Sequence, residues 1–143
     1  RKTLALMEPQ LRAAQVRPEV RADPDLPPAR CNAVEIQQVL VNLLLNALDA
    51  MQDTAVGERR LEIRLEREKS GMLGVVVRDT GAGIAPEVAA RLFEPYFTTK
   101  PTGLGMGLMI CRNIVESHGG ALRLLPLRCR GTSFKFTLRT AER

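Results

Sequence analysis

Apolar side chains recur along this chain with two periods, and the places where the period changes divide it into elements. Leu4, Met7 and Leu11 fall at near-helical spacing over residues 1–14, with Pro9 disturbing a regular helix. Residues 16–22 alternate as a short strand, and Pro18 assigns it to a sheet edge, where a missing N–H costs no ladder bond. Residues 23–28 hold three prolines and read as a loop. A long helix is expected from Ala33 to Gln52, with Asn32 as N-cap and Glu35 three residues on, as in a capping box. Residues 60–66 alternate with Leu61, Ile63 and Leu65 on one side, Gly71 marks a hairpin turn, and 73–77 is a more fully apolar strand. Residues 79–84 form a glycine-containing turn, Pro86 opens a short helix to about Phe93, and 94–104 are irregular. A helix over 105–117 is stopped by Gly119-Gly120, and 121–127 with 132–139 read as a closing strand pair. The sum is an α/β fold, an α+β two-layer sandwich: a mixed sheet of about five strands with about three helices on one face.

The long helix carries an unusual polar stripe. A hundred-degree advance per residue gathers Ile36, Leu40, Leu43, Leu44, Ala47 and Met51 on one face and sets Glu35, Gln38, Asn42, Asn46, Asp49 and Asp53 opposite. Solvation alone would explain a polar face, yet such faces favour Glu and Lys, whereas here two asparagines stand mid-helix four residues apart. Val39, Val41 and Leu45 flank the stripe and keep it narrow. Stacked amides offer carbonyl oxygens to a hard cation and N–H groups to phosphate, which suits a Mg²⁺–polyphosphate.

Two glycine clusters add to this. The strand over 75–78 runs into Asp79-Thr80-Gly81-Ala82-Gly83-Ile84. A strand-end aspartate can accept from an exocyclic amine such as adenine's, and Gly81 and Gly83 let the backbone approach a flat ring. An ordinary Asp/Gly turn is the competing reading. Phe93, Tyr96 and Phe97 read as a small hydrophobic plug anchoring one end of a mobile loop. After it, Gly103-Leu104-Gly105-Met106-Gly107-Leu108 opens a helix, presenting free N–H groups and a positive dipole end to a phosphate, with Lys100 adding a point charge. No strand precedes this cluster, so it is not the dinucleotide fingerprint, and it lacks the Gly-Lys-Ser/Thr of a Walker loop.

Composition narrows the reading. A chain of 143 residues that is 45% hydrophobic and 26% charged suits one globular domain. No apolar run approaches the roughly 18 residues that span a bilayer. The net charge of +5 raises nucleic acid as a partner. With no helix-turn-helix or zinc-finger pattern and few aromatics for stacking, the charge is read instead as favouring a polyphosphate, and no nucleic acid is expected. Cys31, Cys111 and Cys129 lie far apart and His118 is the single histidine, which argues against zinc and for reduced thiols in a cytoplasmic setting.

Together and in order, these pieces resemble the four boxes of the histidine-kinase catalytic domain, within the ATPase superfamily that includes gyrase, Hsp90 and MutL. Residues 35–47, with Asn42 and Asn46, look like the asparagine box, 79–84 like the first glycine box, 93–97 like the phenylalanine box and 103–108 like the second glycine box. Gly131-Thr132-Ser133-Phe134 resembles the motif before the last strand, and the wording of 46–51 and 97–100 is similar to nitrogen-regulation and FixL-like kinases. The resemblance implies a Bergerat-type fold with ATP and Mg²⁺ as cofactors. It implies that Asn46 holds Mg²⁺, that Asn42 supports the phosphates, and that Asp79 reads adenine with Gly83 beside the ring. It places Thr132 near the base through a water and residues 98–104 in a lid, with Lys100, Gly103, Leu104, Gly105, Gly107 and Leu108 around the phosphates. Where many members carry Lys or Arg and then Tyr, this chain has Asp49 and Ala50; Lys100 and Arg112 are the candidate replacements for the lost charge.

The ATPase relatives place a water-activating glutamate where this chain has Asn42, and an amide is no general base, so poor hydrolysis and transfer to a nucleophile from elsewhere are expected. His118, followed by Gly119-Gly120 at a helix end, is not expected to be that acceptor. The resemblance implies a separate dimerisation and histidine-phosphotransfer domain, a response-regulator receiver domain as partner, and a homodimeric parent. The chain opens at Arg1 inside a helical pattern, so a monomeric excised piece is expected, with residues 1–15 a linker remnant and the parent either free in the cytoplasm or anchored at the inner membrane. The alternatives are an ATP-hydrolysing conformational switch of the gyrase or Hsp90 kind and an anti-sigma serine kinase.

Overall fold

The computed structural model describes residues 2–94, 107–127 and 130–141. Lys100, Gly103, Leu104 and Gly105, the proposed lid, the ring pair Tyr96 and Phe97, and Cys129 lie outside them.

Five strands form one sheet in the order β1-β2-β3-β5-β4, where β1 is Pro18–Ala22, β2 Leu61–Arg67, β3 Met72–Asp79, β4 Leu122–Leu125 and β5 Thr132–Arg139. β1 runs parallel to β2 and the other pairs are antiparallel, so the sheet is mixed, with Pro18 on an edge as expected. Ser70 and Gly71 both take positive φ in the β2–β3 turn, the geometry that matches strand twist in a tight hairpin.

Period-2 alternation sends Leu61, Ile63, Val75, Val77, Phe134, Phe136 and Leu138 into one buried cluster with residues of α3 (Ala33–Ala50) and α5 (Gly107–Ser117). Met7, at the junction of the two N-terminal helices, and Leu11 of the second join the same cluster, so helices cover one face. The opposite face carries charge: Lys135 pairs with Glu66 and Glu68, and Arg21 with Glu62.

Several boundaries differ from expectation, with β1 starting at Pro18 and β3 running from Met72 to Asp79. The N-terminal helix is two pieces, α1 (Lys2–Leu6) and α2 (Glu8–Ala13), because Pro9 lies in the first turn of the second, where its missing N–H is harmless. The Pro86 helix, α4, ends at Ala89 and continues to 94 only as turns. α3 ends at Ala50, with Met51 as its C-cap. β4 is confined to Leu122–Leu125. The N-cap stands: Asn32 Oδ1 accepts from Glu35 N–H at 3.0 Å. Among the described residues no helix is long and apolar enough to cross a membrane.

Candidate functional site

Strand register builds one end of the site. Asp79, the last residue of β3, pairs with Thr132, the first of β5, so a buried carboxylate and a buried hydroxyl face one another across the ladder. Asp79 is 4% exposed, and its Oδ1 accepts from Gly81 N–H at 2.8 Å. Burial pushes its carboxyl up to about 6, against the opposing pull of backbone N–H donors at Gly81 and Thr132.

The turn after Asp79 is held by contacts that leave no room for side chains. A Cβ at Gly81 would strike the Ala50 carbonyl at the end of α3, and Ala82 N–H donates to that oxygen at 3.1 Å. Gly131 has φ +123°, and a Cβ there would meet the Asp79 carbonyl oxygen well inside the 3.0 Å that real Cβ atoms keep. Gly83, at φ +82°, lies against Gly131, and Arg130 Nε donates to the Gly81 carbonyl at 3.2 Å. Two glycine turns from different strand ends therefore interlock around Asp79. Thr80 serves the frame, donating to the Glu58 carbonyl at 2.7 Å and accepting from Arg60 N–H at 2.9 Å.

The other end is on α3. Asn42 and Asn46 are half-buried, and the fully buried Val39 shows why: α5 packs on this flank of the helix as well as the sheet on the other. The asparagines lie on the shoulder of the buried face, a correction to their expected position opposite the core. Asn42 Nδ2 donates to Cys111 Sγ of α5 at 3.4 Å, and Gln38 Nε2 donates to Asn42 Oδ1 at 3.4 Å. Asn42, Asn46 and Ala50 lie one turn apart in succession, and Ala50 is the seat of Gly81. At 1.5 Å per residue this places the first amide about 12 Å along the axis from the Gly81 turn, the scale of an extended nucleotide.

Gly107, exposed, and Leu108, half-buried, open α5. Arg112, a candidate replacement cation, stands 5.2 Å from the Phe93 ring centroid and pairs with Glu116 at 3.2 Å. His118 is a pin: Nδ1 donates to the Ile114 carbonyl at 2.7 Å, and Nε2 accepts from Asn32 N–H at 3.1 Å, joining the end of α5 to the start of α3. No group of three or more His, Cys, Asp or Glu able to hold a metal occurs among the described residues. Amide oxygens on α3, completed by phosphate oxygens, fit Mg²⁺, which keeps waters and takes few protein ligands. A shallow groove of about 790 Å³ at α1 and α2, lined by Leu4, Leu11, Val16 and Pro18, shares no residue with this site.

Sequence reading missed Arg59, whose guanidinium binds the carbonyls of Ala14, Gln52 and Thr54 and ties the N-terminal helices to the end of α3. It also missed Thr80, Cys111 and Arg130. Cys111 had one signal, its position in the apolar stripe of α5 with Val115.

Residues 31–142 match the model of the family described as histidine kinase-, DNA gyrase B- and HSP90-like ATPases. The chain is 41% identical over 137 residues to the sensor protein TdiS of Thauera aromatica, covering 95% of this chain and 25% of that protein. It is 42% identical over 120 residues to the sensor protein FixL of Bradyrhizobium diazoefficiens, covering 84% and 23%. Among solved structures it resembles the catalytic domain of the histidine kinase ThkA, with TM-score 0.83, 30% identity, and 97% of this chain and 88% of that one covered. ThkA bound to its response regulator TrrA matches at TM-score 0.79 and 27% identity, over 99% and 40% of the two chains. The chain spans about a quarter of the length of the curated relatives it matches.

Proposed function

From the premise that the chain belongs to the family of histidine kinase-, DNA gyrase B- and HSP90-like ATPases, we propose that it is the ATP-binding catalytic domain of a sensor histidine kinase. In this reading it passes the ATP γ-phosphoryl to a histidine on a separate helical domain, for relay to a response regulator. The observation that carries the reading is the registered pair Asp79 and Thr132 at one end of a line that continues along α3 through Ala50, Asn46 and Asn42. The regulator partner is supported by the ThkA–TrrA complex.

The residues divide the work. The Asp79 carboxylate accepts from the exocyclic amine of adenine, and guanine, with a carbonyl at that position, would set oxygen against oxygen. Gly81 and Gly83 bring backbone against the ring face. Asn46 holds Mg²⁺ by its amide oxygen, and Asn42 orients the phosphate end. Bound Mg²⁺ would neutralise charge on the triphosphate. The γ-phosphoryl leaves its bridging oxygen on ADP and bonds to an imidazole nitrogen, a transfer that asks the protein for alignment and charge rather than covalent chemistry. Asn42 cannot take a proton from water, so transfer is favoured over hydrolysis and the ATP-driven switch is the weaker reading. Arg112 would have to leave Phe93 and Glu116 to serve the phosphates, and Lys100 is the other candidate.

Calorimetry tests this directly. With magnesium, ATP binds and GTP does not compete at equal concentration. In ³²P labelling the chain alone stays unlabelled, and a histidine-bearing helical hairpin from a relative becomes labelled. Equal affinity for ATP and GTP, or labelling of a serine protein instead, would overturn the assignment.

A further inference from the structure

Asn42 is held by a short relay of side chains that the reading above does not use. Gln38 Nε2 donates to its oxygen at 3.4 Å, its own Nδ2 donates to Cys111 Sγ at 3.4 Å, and Cys111 Sγ stands 3.9 Å from the Val39 carbonyl. Cys111 and Val39 are fully buried. A thiol keeps its hydrogen at neutral pH, and the Val39 carbonyl is the acceptor for it. The sulfur lone pairs are then left for the amide N–H of Asn42. With its nitrogen turned toward α5, the amide keeps its oxygen on the Gln38 side, along the outer edge of α3. The torsion that sets this orientation is broad and nearly two-fold in an asparagine, and Gln38, exposed and itself an amide, can present either end to it, so without Cys111 both orientations would be populated.

We propose that Cys111 is a positioning residue for phosphoryl transfer: its sulfur holds the NH₂ group of Asn42 so that the amide's carbonyl oxygen is the atom left for the magnesium ion of the bound nucleotide. This rests on the assignment of Asn42 to the phosphate end. A plain packing role for Cys111 makes the opposite forecast for two substitutions. Cys111→Val fills the space but accepts no hydrogen bond, whereas Cys111→Ser keeps an acceptor and leaves the site underfilled.

The experiment measures adenosine affinity, ATP affinity with and without magnesium, and thermal stability for the unchanged chain and for Cys111→Val, Cys111→Ser and Cys111→Ala. Expected for Cys111→Val is adenosine binding as in the unchanged chain, with ATP–Mg²⁺ affinity about tenfold weaker, the worth of one oriented hydrogen bond. Cys111→Ser should melt earlier yet hold ATP–Mg²⁺ affinity within about twofold. Cys111→Ala, which keeps neither volume nor acceptor, should weaken ATP–Mg²⁺ as valine does, and decides the matter if valine does not fold. ATP–Mg²⁺ affinity unaltered by valine or alanine, or lost equally with serine, overturns the inference alone. If the unchanged chain shows no magnesium-dependent ATP binding, the functional reading falls, and this inference with it.

Discussion

The two ends of the proposed nucleotide site are made of different material. The base end is backbone: Gly81 against the Ala50 carbonyl, Gly131 against the Asp79 carbonyl, Gly83 against Gly131, with one buried carboxylate between them. The phosphate end is side chain: Asn42 and Asn46, half-buried on one helix, with Asn42 steadied by Cys111. An interlock of carbonyls and glycines cannot adjust to a substitution, whereas an amide can turn. In the proposed reading, recognition of the base is therefore prepared in advance, and the phosphate end is the part that can respond to what is bound.

The interlock gives the largest expected effect. Gly131→Ala puts a methyl where the Asp79 carbonyl lies and asks a non-glycine residue to hold φ +123°. The substitution should cost about 3 kcal/mol of stability and take adenosine binding with it. Denaturant unfolding and calorimetry check both, and a folded variant with ordinary adenosine affinity would break the comparison.

Asp79 comes next. Asp79→Asn should weaken adenosine and ATP about hundredfold, since the amide sets N–H groups where the carboxylate accepts charge-assisted bonds. Its titration adds a signed prediction. The folded value is raised from 3.8 to about 6, so stability from this group is fully present below 3.8 and is lost as pH rises to about 6. Two units correspond to up to about 3 kcal/mol in the nucleotide-free chain. Adenine needs the ionised carboxylate, so ATP affinity should fall about tenfold per pH unit below 6, opposite in direction to stability. Denaturation and titration from pH 4 to 7.5 read both slopes, and Asp79→Asn should abolish both. Parallel slopes would count against Asp79 as the base reader.

The phosphate end should answer more gently. Asn46→Ala leaves the interlock untouched, so adenosine binds as before, while ATP–Mg²⁺ affinity falls about tenfold and the magnesium dependence of ATP binding disappears. Loss of adenosine binding in this variant would mean that the two ends are one cooperative unit.

This division also explains what could be read from sequence. The turn over 79–83 was legible because backbone contacts of that kind demand glycine, and glycine is a letter in the sequence. The sheet was legible because alternation shows directly in Leu61, Ile63 and Leu65. The stripe on α3 was misplaced because the number of neighbours covering a helix is a tertiary fact. Val39 looked like a flank of the stripe until α5, supplying Cys111 and Val115, made it core. Arg59 was invisible for a related reason. Its carbonyl partners, in Ala14, Gln52 and Thr54, meet only after folding, and an arginine beside Arg60 carries no local sign of such a role.

Thr54 separates the local interlock from general stability, with the smallest effect. It lies just past α3, 5% exposed; its N–H donates to the Met51 carbonyl and its own carbonyl accepts from Arg59, yet its hydroxyl has no partner among the described residues. Thr54→Val keeps the shape and those backbone bonds and removes only the unpaired oxygen. A buried hydroxyl without a partner costs about 1 kcal/mol or more, so the variant should be more stable by about that amount, or about 3 °C in melting temperature. Adenosine and ATP–Mg²⁺ affinities should both be unchanged, because neither end of the site touches this hydroxyl. If adenosine affinity instead rose with stability, the base pocket would be limited by how often the end of α3 is folded, and the interlock around Asp79 would not be self-sufficient.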